Sequence, residues 1–241
     1  MEKIEYEYYE KKPMSLSRAM LKSTALLLLA LAIFVFGILF YCNTFLSLYP
    51  ISGSSMQPLI NATYDSGDFA YGTRNTKDVT YGDIIIYKKN SNKLVIKRVI
   101  AMSNDNIMIK EDNGEYALYL QYNSTGEWQK LEEDYVKDKS SYEITYQELY
   151  WSVLPHGGGE GRLEYIPASK ILTDENGNKY YHVNEGEIFY AGDNRRTSYD
   201  CFDYGAMKAD RMVAKVVYLI HRNEPRIWQV VMQFLGIYKW R

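Results

Sequence analysis

Cysteine is nearly missing from this chain: Cys42 and Cys201 are the only two among 241 residues. That scarcity excludes a small disulfide-stapled scaffold, and neither residue belongs to a CxxC or Cys/His spacing suited to zinc, so neither a metal nor another cofactor is expected. Two unpaired thiols are the expectation, with an extracytoplasmic Cys42–Cys201 disulfide as the alternative. An excess of charge is also missing. The formal net charge is -2, from 28 basic against 30 acidic residues, which leaves no basic stripe for a nucleic-acid partner. No internal repeat is visible. Disorder is excluded by composition, at 46% apolar and 15% aromatic residues.

Abundant tyrosine, 24 residues, favours pleated, half-buried strands. Runs such as DFAYGTR, GDIIIYKK, KLVIKRVIAM, NIMIK, YALYLQY, KYYHV, EIFYAG and RMVAKVVYLI stand between clusters of Gly, Asn, Asp and Ser, a pattern of strands and turns. A modest helical period appears only around Glu132 to Leu149. The expected fold is mainly β, an antiparallel domain preceded by one apolar helix.

That helix is the run TALLLLALAIFVFGILFY, Thr24 to Tyr41, which carries no charge. At ~1.5 Å per residue it covers about 27 Å, close to the hydrocarbon core of a bilayer. A cleaved secretory signal would be shorter and followed by a polar stretch, whereas the chain continues NTFLSLYPI, so an uncleaved anchor is expected. Lys11, Lys12, Arg18 and Lys22 precede the run and the first charge after it is Asp65, which places the N terminus in the cytoplasm. The tail from Ile227 to Trp240 is too short to span. It is apolar enough to rest on the domain or on the membrane surface, and packing against the core is the expectation.

Three segments carry candidate chemistry. In ISGSSMQPLI, Ile51 to Ile60, Gly53 permits a tight turn that would present Ser55 with its backbone N–H facing a developing oxyanion. In KLVIKRVIAM, Lys97 shares one strand face with Val95, Val99 and Ala101, and Arg98 shares the other with Leu94, Ile96, Ile100 and Met102. Neither face is polar. Unless the strand is an edge from which both cations snorkel, one of them lies on an apolar surface. Arginine stays charged there, but a desolvated lysine loses proton affinity and becomes a feasible general base. In AGDNRRTSYD, Ala191 to Asp200, the Ser198 hydroxyl would orient such a lysine without adding a carboxylate. Read alone, Arg195 and Asp200 make an ordinary surface pair. The HGGG string at His156 reads as a plain glycine loop, because no nucleophile elbow follows it.

The order of these segments is more specific than any one of them. An anchor, then SMQP (Ser55 to Pro58), GDIIIY (Gly82 to Tyr87), KRVIA (Lys97 to Ala101) and GDNRRTSYD (Gly192 to Asp200) resembles the bacterial type I signal peptidases over about half the chain. The resemblance implies a membrane-bound serine endopeptidase that removes signal peptides from exported preproteins, with Ser55 as nucleophile and Lys97 as base. It implies further that Ser198 orients the lysine and that the Ser55 N–H is an oxyanion donor. Gly192, Asp193, Asn194, Arg195 and Asp200 would be site scaffold, and Met56, Val95 and Ile96 would lie near the substrate pockets. The implied layout is a cytoplasmic segment 1–23, an anchor 24–42, a catalytic β domain in two parts, 43–107 and 187–241, and an inserted cap subdomain, 108–186. The partners implied are preproteins with signal peptides and the lipid bilayer.

Three positions depart from the family's pattern. Gly53 stands where some members carry a hydroxyl as second oxyanion donor, Leu59 replaces a small hydroxyl residue, and Phe202 replaces an arginine that would pair with Asp200. Alternative readings are a maturase dedicated to one substrate such as a pilin, a catalytically silent assembly scaffold, or a plain β-rich binding domain. The charge asymmetry around Thr24 to Tyr41 yields a direct expectation. Protease added to intact spheroplasts should digest the region after Cys42, and protection of that region would overturn the orientation.

Overall fold

A computed structural model describes residues 15–61, 67–89, 93–136, 138–139, 142, 171–222 and 224–236. The chain divides into two compact units, Met1–Tyr41 and Cys42–Arg241. The first holds most of the helix Leu16–Phe45, which carries the apolar run, with side chains from Leu26 to Leu31 largely exposed. Leucine-rich sequence without a polar face cannot stay in water at this exposure, so the helix is suited to lipid.

The second unit is built from two antiparallel sheets. Its strands are β1 (Ser47–Pro50), β2 (Phe69–Thr73), β3 (Ile84–Lys88), β4 (Leu94–Ala101), β5 (Asn106–Asp112), β6 (Glu115–Gln121), β7 (Gln129–Lys130), β8 (Ile171–Thr173), β9 (Lys179–His182), β10 (Glu187–Ala191), β11 (Met207–Lys208) and β12 (Met212–Ile220). The seven-stranded sheet has the order β1-β2-β12-β3-β4-β10-β11, and the five-stranded sheet the order β7-β6-β5-β9-β8. All eight apolar runs form strands. The four additional strands β1, β7, β8 and β11 have four residues or fewer, too short for a period to register in sequence.

One core joins the two sheets. Ile85, Tyr87, Val99 and Phe189 of the larger sheet pack in the same cluster as Ile107, Leu118, Leu120 and Tyr181 of the smaller. The smaller sheet, built wholly between Asn106 and His182, therefore shares its core with the segments that flank it. A second cluster, with Ile51, Met56, Ile60, Ile84, Ile86, Ile96 and Val216, lies under the serine-rich loop. The helical period expected from Glu132 to Leu149 falls mostly outside the described residues, as does the HGGG string. Its described beginning, 132–136, is turn and irregular chain. Cys42 and Cys201 form no disulfide, and both are buried.

Strand β4 is interior, paired to β3 on one side and β10 on the other. Pairing to β10 reaches Arg98 but not Lys97, yet neither cation snorkels outward: both are buried, at 4% and 2% exposure. Arg98 is neutralised by a two-pronged pair with Asp193, Nε to Oδ1 at 2.8 Å and Nη2 to Oδ2 at 2.7 Å. Its Nη1 donates to the Gly82 carbonyl at 2.8 Å, and the Tyr135 ring lies 4.1 Å from the guanidinium carbon. The glycine of the GDIIIY segment thus supplies an arginine acceptor.

Removing one partner of such a pair strands the other charge in the interior, at a cost of ~3–5 kcal/mol. Asp193→Ala should lower the urea midpoint accordingly, while the double variant Arg98→Met, Asp193→Ala should recover much of the loss. Simple additivity of the two single variants in detergent-solubilised protein would show that the pair does not carry this cost.

Candidate active site

The serine-rich segment is a loop closed by side chains, because Ile51 to Asn61 has no strand partner to satisfy its backbone. Asn61, buried and at φ +54°, donates from Nδ2 to the carbonyls of Ile51 and Gly53, both at 3.1 Å. Its Oδ1 accepts from Asp68 N, and its own N–H donates to Asp68 Oδ2, each at 2.8 Å. Asp68 Oδ2 also meets His221 Nδ1 at 3.0 Å, just beyond β12. Gly53 at φ +98° makes the turn that the glycine was expected to permit. Met56 and Ile60 point down into the second core and hold the loop on the sheet.

A second loop, Gly192 to Asp200, leaves β10 beside the cations, since Ala191 pairs with Arg98. It grips the serine loop directly. Asn194 N donates to the Ser55 carbonyl at 3.0 Å, and Asn194 Nδ2 to the Ser54 carbonyl at 3.2 Å. Gly192 lies against both the Ser55 carbonyl and Ser198: a Cβ on it would come within 2.7 Å of Ser198 Cβ and closer to the two oxygens. The absence of a side chain is what lets the two loops meet.

Asp200 organises this loop from within. Its Oδ2 accepts from Gly192 N at 2.8 Å and from the Ser198 hydroxyl, and its Oδ1 accepts from Phe202 N at 3.1 Å. With Asp203 it forms a capping box on the short helix Cys201–Tyr204. Asp200 is therefore satisfied without an arginine two residues on. Phe202 instead packs its ring 5.0 Å from that of Phe189.

Arg195 and Asp200 are not the surface pair read from sequence. Arg195 is buried and bridges to Glu133, with Nε donating to Tyr142 Oη at 2.9 Å and Nη1 donating to the Gly192 carbonyl. Tyr142 in turn donates to Glu133 Oε2 at 2.7 Å. Glu133, Tyr135 and Tyr142 come from the stretch between the KRVIA and GDNRRTSYD segments, and nothing local in their sequence marks them as site residues. Asn61, Asp68 and His221 escaped notice for the same reason.

A cleft of about 470 Å³ opens where the two loops meet the sheet. It is lined by Ser52 to Ser55, by Ile86, by Lys93 to Lys97 and by Thr197. Ser55, Lys97, Val95 and Ile96 thus come together. Met56, at 1% exposure, belongs to the core beneath. Asp193, Arg195 and Asp200 are buried and do not line it. Pairing of β10 with β4 involves only Arg98 to Ala101, so Leu94 to Lys97 has a strand partner on one side alone among the described residues.

The electrostatics of Lys97 follow from its place. Burial drives its pKa below the ordinary lysine value. Asp200 opposes that shift, Lys89 reinforces it, and Cys201 and Asp193 oppose it more weakly. A carboxylate does stand near the amine, contrary to the simple picture in which only a hydroxyl would. Its lone pairs, however, are engaged by Gly192, Ser198 and Phe202, and desolvation prevails. Because Ser198 donates its proton to Asp200, the serine oxygen keeps its lone pairs for another donor.

A β domain on an apolar anchor, with a serine loop and a desolvated amine in one cleft, has the parts of a membrane-anchored serine hydrolase. Residues 21–220 match the family described as signal peptidase, peptidase S26, and the chain belongs to that family. It is 27% identical over 201 residues to signal peptidase I of Streptococcus pneumoniae strain ATCC BAA-255 / R6, covering 81% of this chain and 90% of that one. It is 28% identical over 171 residues to signal peptidase I of Bacillus caldolyticus, covering 70% and 75% respectively. A solved signal peptidase I from Enterococcus faecalis V583 aligns at 20% identity with a TM-score of 0.33, covering 57% of this chain and 96% of that one.

The contact between the loops is testable at one residue. Gly192→Ala should leave a folded protein, by circular dichroism, but push Ser198 and the Ser55 loop apart. Displacements near 1 Å cost roughly 10²-fold in turnover. Unchanged peptidase activity in this variant would mean that the close approach is not needed.

Proposed function

We propose that this chain removes N-terminal signal peptides from exported preproteins, with Ser55 as nucleophile and Lys97 as general base. The observation that carries the reading is the burial of Lys97 on β4, in the same cleft as the Ser55 loop. A lysine in water is protonated at neutral pH and cannot accept a proton; burial of Lys97 on the strand face it shares with Val95 and Val99 lowers its affinity for that proton.

The reaction then runs as acyl transfer. Ser55 Oγ attacks the carbonyl that follows a small side chain in the preprotein, while neutral Lys97 takes the hydroxyl proton. The oxyanion is met by the Ser55 backbone N–H, the tetrahedral intermediate collapses to an acyl-enzyme, and Lys97 returns its proton to the leaving amine. A water activated by the same amine releases the acyl group. Ser198 orients Lys97 by accepting one of its N–H groups, and Asp200 holds Ser198 in place. The one-sided edge of Leu94 to Lys97 suits an extended substrate, which would gain main-chain hydrogen bonds there while Val95 and Ile96 limit side-chain size.

The anchor keeps this cleft at the membrane on the extracytoplasmic side, where a signal peptide ends. The segment 108–186 acts as a cap on the catalytic domain, contributing Glu133 and Tyr142 to the support of Arg195. A silent scaffold has no chemical need for a buried, desolvated amine beside a serine loop, so that alternative is not favoured.

Ser55→Ala in the full chain should abolish cleavage of a preprotein without loss of fold. Lys97→Arg should be as inactive, because guanidinium stays charged, and a general base is worth ~10²–10⁴ in rate. Since burial lowers the Lys97 pKa, activity should rise with pH through that value and be lost below it as the amine protonates. N-terminal sequencing of the product locates the cut. A folded Lys97→Arg protein that cleaves at near wild-type rate would overturn the mechanism.

A further inference from the structure

A guanidinium cannot shed its proton on burial, so Arg195, at 7% exposure, requires an anion. Glu133, Tyr135 and Tyr142 surround it, and the Phe202 ring lies 5.8 Å from its central carbon. Burial pushes the phenols of Tyr135 and Tyr142 up, so both keep their protons and donate to Glu133, to Oε1 at 3.3 Å and to Oε2 at 2.7 Å. Glu133 is thus the one full negative charge bonded to Arg195 among the described residues. It follows β7 of the smaller sheet by three residues and reaches a loop of the larger sheet, 62 residues further along the chain.

This carboxylate has two consequences for the cleft. The first is mechanical. With Nη2 held by Glu133, Arg195 donates from Nη1 to the Gly192 carbonyl, while Gly192 N donates to Asp200 Oδ2 at 2.8 Å. The peptide groups on both sides of Gly192 are therefore fixed, at the residue against which the Ser55 carbonyl and Ser198 meet. The second is electrostatic. Asp200 is another carboxylate whose charge acts on Arg195, and its oxygens are the ones that hold Ser198, Gly192 and Phe202. Because residue 202 is a phenylalanine, no arginine at that position competes for them. An Arg195 without Glu133 would.

We propose that Glu133 is a positioning residue for the peptidase reaction, holding Arg195 so that Gly192 stays fixed between the two loops and Asp200 stays reserved for Ser198. This rests on the Ser55–Lys97 reading and assigns to that site a residue supplied by the intervening stretch. Glu133 does not line the cleft, so it acts on rate and leaves substrate binding alone. It also acts on the base. Burial lowers the Lys97 pKa, Asp200 is the foremost group opposing that fall, Lys89 reinforces it, and Cys201 and Asp193 oppose it more weakly. An Arg195 turned to Asp200 would cancel part of the main opposition. The Lys97 pKa would then fall further, and the acid limb of the activity profile would move to lower pH.

The test is preprotein cleavage against substrate concentration and pH in detergent, with folding followed by circular dichroism and thermal unfolding. Full-length wild type, Glu133→Gln and the double variant Glu133→Gln, Arg195→Met are compared, with Ser55→Ala and Lys97→Arg alongside. Cleavage by either of the last two would overturn the dyad and this proposal with it, whereas inactive controls beside a fully active Glu133→Gln would overturn this proposal alone. Glu133→Gln should lose roughly 10-fold or more in kcat with KM changed by less than about twofold. Its acid limb should lie at lower pH than that of wild type. The double variant removes anion and cation together, so its acid limb should return to the wild-type position while kcat stays low, because the hold on Gly192 is gone. Lower kcat in Glu133→Gln with an unmoved acid limb would reduce Glu133 to a fold element and overturn the proposal. If Glu133→Gln does not fold, the double variant decides: low kcat at unchanged KM supports the positioning role, and near wild-type kcat overturns it.

Discussion

Two adjacent cations on one interior strand impose the main constraint on this domain. Lys97 and Arg98 point to opposite faces of β4, and both are nearly inaccessible to water. The fold treats them in opposite ways. Arg98 cannot lose its proton, so it is enclosed by a carboxylate, a carbonyl and an aromatic ring. Lys97 is left with partial compensation, and burial shifts it toward the neutral amine. Much of the surrounding structure follows from meeting the first demand without meeting the second.

The loop from Gly192 to Asp200 is where the two demands are reconciled. Asp193 faces Arg98, whereas Asp200, the carboxylate nearer in effect to Lys97, has its oxygens occupied by Gly192, Ser198 and the cap of a short helix. The same loop holds the Ser55 segment through Asn194, so the support of the arginine and the placement of the serine are mechanically coupled. Behind it, Arg195 transfers part of that support to Glu133 and Tyr142. The intervening stretch that looked separable in sequence is therefore tied to the site, and its sheet shares a core with the larger one.

At the opposite extreme of the chain, the C-terminal helix, Arg226–Phe234, shows how backbone satisfaction can dictate which face of a helix turns inward. Gln229 and Gln233 complete the hydrogen bonding of β12, and that choice leaves the apolar residues outside.

The sequence by itself determined the elements and the chemistry that a few residues could perform. Alternating apolar runs specified eight strands, an uncharged run specified the anchor, and the KR pair on an apolar strand implied a desolvated cation unless that strand was an edge. Those features are local, because periodicity, hydrophobic length and side-chain pKa are properties of short segments. Only the tertiary structure decided that β4 is interior, that Asp193 takes Arg98 and Glu133 takes Arg195, and that Asn61 and Asp68 close the serine loop. It also decided that Met56 faces the core instead of the cleft, and that the last helix turns its glutamines inward. Each of these pairs residues brought together by strand order and loop closure across the sheet. Their partners are distant in the chain, and no local pattern of residues records which of many buried charges and amides will meet.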